Sequence, residues 1–135
     1  MKTIKLKKNE LLNAINIDKE KENTQYIIEC IYNEFMNEYN KNEYESALTK
    51  LNEYRHLKKG VCCPCGRYAM YIDKKDFNKM KLYSGGFVVG DTGYSITLKV
   101  NTGDVYKISR KDKEFFVRFT DNERMRYALS KLEND

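Results

Sequence analysis

The apolar residues of this chain change their spacing once. Up to residue 57 they recur at steps of three and four; from residue 67 they recur mostly at steps of two, until a last helical stretch closes the chain. A period near 3.6 marks one face of a helix and a period of two a half-buried strand. The sequence therefore predicts an α+β fold: a mainly helical half over 1–60 and a mainly β half with a terminal helix over 61–135. At 135 residues the whole is expected to form one domain, since a chain of this size buries roughly two-thirds of its unfolded surface.

In the first half, Thr3 to Lys7 alternate as a short edge strand would, and Asn9 is placed to cap a short helix carrying Leu11, Leu12 and Ile15. The charged run Asp18–Asn23 reads as a linker. From Thr24 the spacing of Ile27, Cys30, Ile31 and Phe35 predicts a helix, extending toward Met36 and Tyr39, with Cys30 in the core. Asn40-Lys41-Asn42 reads as a break. A second helix is predicted through Tyr44, Ala47, Leu48, Leu51, Tyr54 and Leu57, with Lys58 and Lys59 at its negative end and Gly60 as its stop. The two together predict an antiparallel helical hairpin.

The second half predicts an antiparallel meander of about four strands. Arg67–Ile72 reads as a strand, and Asp73–Met80 as a helical turn. Ser84-Gly85-Gly86 reads as a break before Phe87-Val88-Val89, and Asp91-Thr92-Gly93 as a tight turn. Tyr94, Ile96, Leu98 and Val100 alternate with polar residues, Asn101–Asp104 is a hairpin turn, Val105–Ser109 returns, and after a turn at 111–113 Phe115, Val117 and Phe119 form the last strand. Thr120 and Glu123 have capping-box spacing and open a helix whose apolar side carries Met125, Ala128, Leu129 and Leu132.

Charge divides along the same line. Residues 1–57 are net −1 and residues 58–135 net +6, so an anionic partner is expected on the β half. Lysine outnumbers arginine 19 to 6, asparagine occurs 13 times and proline once, a bias that suits an AT-rich bacterial or phage genome. No stretch approaches the ~20 apolar residues of a membrane span, and the basic start lacks the apolar run of a signal peptide. A cytoplasmic protein with reduced thiols is expected, with too few cysteines for a disulfide scaffold.

Side-chain chemistry clusters at one place, Cys62-Cys63-Pro64-Cys65-Gly66, with the one histidine, His56, just before it. Cys62 and Cys65 have the spacing of half a zinc knuckle, and Cys63 and His56 are the residues available to complete four ligands. The matching second half is absent, and adjacent cysteine side chains diverge, so three readings stand: small side chains in a loop, a zinc site, or a redox pair. A redox C-x-x-C opens a helix after a strand; this one is expected to follow a helix and precede a strand, which leaves a thiol-dependent activity at Cys62 or Cys65 as the remotest reading. His56 has no evident nucleophile or orienting group beside it. The glycine segments at 84–86 and 90–93 lack P-loop spacing and read as turns.

The β half mixes tyrosines with cations: Arg67, Tyr71, Tyr83, Lys99, Tyr106, Lys107, Arg110 and Arg118 are the candidate ligand-binding residues, with Tyr68 and Lys81 beside them. Rings that stack on bases and cations that meet phosphates are what a nucleotide or nucleic-acid binder needs. The tyrosines of the helical half (Tyr26, Tyr32, Tyr39, Tyr44, Tyr54) are too many for one core stripe, so some are expected on a protein or homo-oligomer interface. No catalytic set is visible. The expectation is a small accessory protein of the inhibitor, immunity or anti-defence kind, without cofactor, that sequesters a protein or an anionic nucleotide. The alternative is a zinc-stabilised nucleic-acid-binding protein.

Overall fold

The computed structural model describes residues 14–34, 36–63, 65–74 and 79–134. Two helices, α1 (Ile17–Glu34) and α2 (Glu38–Lys50), lead into six strands: β1 (Tyr54–Leu57), β2 (Tyr68–Asp73), β3 (Lys81–Asp91), β4 (Ser95–Lys99), β5 (Val105–Ser109) and β6 (Lys113–Arg118). Helix α3 (Asp121–Asn134) follows. The strands form one antiparallel sheet in the order β1-β6-β2-β3-β4-β5. The α+β class stands, with six strands where about four were expected. The strand at 3–7, the helix around Leu11 and Leu12, and the middle of the turn at 73–80 lie outside the described residues. No described helix is long and apolar enough to cross a membrane.

Helix α1 begins at Ile17, so the supposed linker at 18–23 is helical. Asn16 starts it by accepting from the Lys19 N–H at 3.1 Å. The first helix ends at Glu34 and the second begins at Glu38, so 40–42 is helical and not a break. Asn37 caps α2, accepting from the Asn40 N–H at 2.8 Å, while Asn40 is buried and accepts from the Met80 N–H at 3.1 Å. Asn40 thus anchors helix to sheet. The two helices do pack on each other, with the Tyr32 and Tyr44 rings stacked 4.6 Å apart.

The largest departure is at 51–57. The second helix stops at Lys50, and Tyr54–Leu57 forms β1, paired with Arg118 to Phe115 of β6. Both ends of β1 are buried, Tyr54 on the helix side and Leu57 on the opposite side of the sheet. A strand covered on both faces shows no alternation, and the Leu51, Tyr54, Leu57 spacing mimics a helix stripe. Ser84-Gly85-Gly86 likewise is not a break but the middle of β3. A Cβ on Gly85 would sit 2.0 Å from the Ala69 carbonyl oxygen, and one on Gly86 2.5 Å from that of Lys99. The neighbouring strands approach too closely for any side chain there.

These close approaches, with irregular register at Ala69/Tyr71 and at Val88/Gly90, let the sheet coil on itself. On its outer face α1 and α2 cover β1, β6, β2 and the start of β3, around Ile28, Leu51, Met70, Ile72 and Phe116. The inner face gathers residues from all six strands: Leu57, Phe115, Val117, Ala69, Val88, Ile96 and Leu98, with Ile108 against them. Arg110, just after β5, donates to the carbonyls of Lys58 (2.7 Å) and Leu57 (3.5 Å) at the end of β1. The two edge strands of the sheet are thereby tied together at one end.

Helix α3 has the capping box read from sequence. The Glu123 N–H donates to Thr120 Oγ1 at 3.1 Å, and Glu123 Oε1 accepts from the Thr120 N–H at 3.1 Å. Its expected apolar side faces outward, with Met125 and Leu132 exposed. Polar contacts hold it instead, from Arg124 to Glu53 at 2.6 Å and from Tyr127 to Asp18 at 2.7 Å.

Candidate functional site

Three connections meet where the sheet edges are tied: the loop after β1, the β3–β4 turn and the β5–β6 turn. Asp91 organises them. Its Oδ1 accepts from the Gly93 N–H at 2.7 Å; its Oδ2 accepts from the Cys63 N–H at 2.8 Å and faces Arg110 Nη1 at 3.4 Å. Arg110 Nη1 also donates to the Val61 carbonyl at 2.9 Å. Both side chains are buried, Arg110 at 5% and Asp91 at 1% exposure, so the ion pair is spent inside the protein on shaping the loops.

Around this pair lies a cleft of about 500 Å³ lined by Lys59, Gly60, Thr92, Gly93, Tyr94, Ser109, Arg110 and Lys111. The volume falls within the range of ligand sites, roughly 300–1,000 Å³. Gly60 and Gly93 both have positive φ, 81° and 90°, and the 60 and 93 loops abut: a Cβ on Gly93 would lie 3.7 Å from the Gly60 carbonyl. The Thr92 hydroxyl accepts from the Ser95 N–H at 3.2 Å and the Ser109 hydroxyl from the Lys111 N–H at 3.2 Å, so both oxygens are fixed in place. Lys59 and Lys111 are exposed at the rim, and the Tyr94 ring is 85% exposed. No carboxylate is among these lining residues. The cleft is thus rimmed by two lysines, of which Lys59 also lies 4.0 Å from Glu114 Oε1, rich in hydroxyls and flanked by one aromatic face.

A second cluster lies beside the first loop. His56 on β1 contacts Glu114 on β6 through Nε2 at 2.6 Å, and Lys74 Nζ donates to the same carboxylate at 3.1 Å. Burial alone would raise Glu114, but the His56 hydrogen bond and Lys74 outweigh it and hold the carboxyl down at about 2. The folded pKa is below the unfolded one, so this group's contribution to stability is present above pH ~4.5 and is lost as pH falls toward 2. Glu114→Gln is expected to flatten the loss of stability between pH 5 and 3, as read by urea denaturation, by on the order of 2 kcal/mol. An unchanged acid profile would remove Glu114 from that account.

The sequence-derived residues do not form one site. Tyr71 and Tyr83 face each other across β2 and β3, their rings stacked 5.1 Å apart with Lys81 over Tyr83, and burial raises the Tyr71 hydroxyl's pKa. Lys99 and Lys107 share the outer face of the sheet, whereas Tyr106, paired with Leu98, points to the inner side. Arg67 donates to Glu123 at 2.9 Å, Arg118 is exposed beside Glu53 and Asp121, and Arg110 is turned inward. Of the helical tyrosines, Tyr26 and Tyr39 are exposed and Tyr54 is buried.

Cys62 and Cys65 are exposed, and Cys65 Sγ lies 3.2 Å from the Val89 carbonyl. Cys63 is buried in the inner core, and its burial raises the thiol's pKa. His56 is engaged with Glu114. Among the described residues no three His, Cys, Asp or Glu side chains gather as a metal-holding set.

The cleft residues Lys59, Thr92, Tyr94, Ser109 and Lys111 were not singled out from sequence. The turn expected at 91–93 falls one residue later, at 92–94, because Asp91 still pairs as the end of β3, but what faces it comes from loops well before and after it in the chain, and no spacing rule links them. Comparison with protein-family models, with curated proteins and with solved structures finds no match.

Proposed function

We propose that this protein acts by binding, as a small accessory factor that sequesters an anionic nucleotide in the cleft between the 58–60, 92–94 and 109–111 loops. One observation carries the reading: the lining combines two exposed lysines, fixed hydroxyls and an exposed tyrosine ring, without a carboxylate. Lys59 and Lys111 would meet the phosphates, and Tyr94 would lie against the base. Hydrogen bonds to charged groups contribute about 1.5–3 kcal/mol, enough for a rim of two lysines to set the affinity. Arg110 has no phosphate to meet in this reading; it holds the loops in the shape that presents the lysines.

Isothermal titration with nucleoside mono-, di- and triphosphates tests this. Lys59→Ala and Lys111→Ala are each expected to weaken binding roughly tenfold, and Tyr94→Ala is expected to erase preference for a nucleotide over inorganic triphosphate. Absence of binding at millimolar nucleotide, or indifference to both lysine changes, would defeat the reading.

A further inference from the structure

A second surface of the sheet has a composition the cleft does not explain. We propose that the outer face of β3, β4 and β5 binds single-stranded nucleic acid. Residues paired across an antiparallel ladder share a face. One row therefore runs Tyr68–Phe87–Lys99–Val105, and the next runs Gly90–Thr97–Lys107. With strands about 4.8 Å apart, the first row spans about 14 Å. The helices pack over β1, β6, β2 and the start of β3, and no other described element covers this end of the face.

The face carries a ring and two cations for which no ion pair forms among the described residues. Phe87 is 49% exposed and is braced edge-on by Tyr68 at 5.3 Å between ring centres. Lys99 is its direct cross-strand neighbour, and Lys107 lies one row on. No carboxylate occupies any of these paired positions. An exposed aromatic face beside backbone-reaching cations suits unpaired bases, which every strand without a complement presents. A duplex keeps its base faces stacked and would leave Phe87 unused. A second copy of the chain fits less well, because Lys107 sits in the middle of the edge strand, where charge opposes strand-to-strand addition.

The surface adjoins the cleft, since Ser109 lines the cleft and follows Lys107 on the same face. It does not depend on the cleft being a nucleotide site.

The test is fluorescence anisotropy with a labelled oligothymidylate and oligouridylate of about 12 residues, titrated at salt concentrations of roughly 50 to 200 mM. Binding is expected to weaken steeply with salt. Phe87→Ala should weaken it at least about fivefold, with Phe87→Tyr restoring it, and Lys99→Ala and Lys107→Ala should each lower the salt slope by about 0.7. Mononucleotide affinity should not change in Phe87→Ala, so this surface and the cleft can fail separately. Because Phe87 is half exposed, thermal unfolding of the variant is expected to stay close to the parent and verifies the comparison. No anisotropy change at the lowest salt overturns the proposal. So does oligonucleotide binding that ignores Phe87 and follows only Lys59 and Lys111. Sedimentation velocity covers the remaining arm: a dimer that Phe87→Ala splits, without oligonucleotide binding, makes the face a self-interface instead.

Discussion

Arg110→Ala is expected to lower stability by about 4 kcal/mol. Removing one partner of a buried ion pair costs about 3–5 kcal/mol, because the other charge stays buried without compensation. Here that charge is Asp91, at 1% exposure. The carbonyls of Lys58 and Val61 lose their guanidinium donor as well. Against a total stability of about 5–15 kcal/mol, the variant should melt far below the parent. Arg110→Lys is expected to recover only part, because one ammonium cannot reach both the Lys58 and Val61 carbonyls and Asp91 in the plane that the guanidinium fills. A double-mutant cycle with Asp91→Asn should show strong coupling between the two positions. A loss below about 1 kcal/mol on denaturant titration would mean that the edges stay together without the arginine.

Gly85→Ala is expected to cost about 3 kcal/mol or more, although it adds a single methyl group. The new carbon would sit 2.0 Å from the Ala69 oxygen and 2.9 Å from its carbon. Both are backbone atoms of the neighbouring strand, with no rotamer to relieve the clash. Strands β2 and β3 would have to part where Ala69 pairs with Gly86, opening the inner core beneath. Gly60→Ala is the control. Its φ of 81° is unfavourable for alanine, but nothing lies within 4 Å of the added carbon, so only the conformational cost of about 1–2 kcal/mol applies. If the two substitutions proved equally mild by thermal and urea unfolding, the close approach at Gly85 would not be what fixes the strand spacing.

These two residues also show where the sequence is legible. The β4–β5 hairpin could be read because β4 alternates between buried and more exposed residues and the turn has Gly103 at positive φ. The Thr120/Glu123 box could be read because capping is local. Gly85 and Arg110 could not. Glycine signals a turn through its own backbone freedom, whereas Gly85 is required by a strand 16 residues earlier in the chain. Arg110 looks like any surface cation until folding sets it against carbonyls about 50 residues away. The cleft shares that opacity, since its lysines and its tyrosine come from separate loops, and only the coiling of the sheet brings them together.

The pairing of β1 carries a consequence for how the protein is made. Among the described residues its strand partner in the sheet is β6, and β6 follows it by roughly 60 residues. A ribosome adding ~5–20 residues per second takes several seconds to bridge that gap. Throughout that interval Tyr54 and Leu57 wait for β6, in a segment whose own spacing favours extending α2. Pairing of β1 with β6 therefore comes late in synthesis order, after Arg110 has been made and before α3 is added.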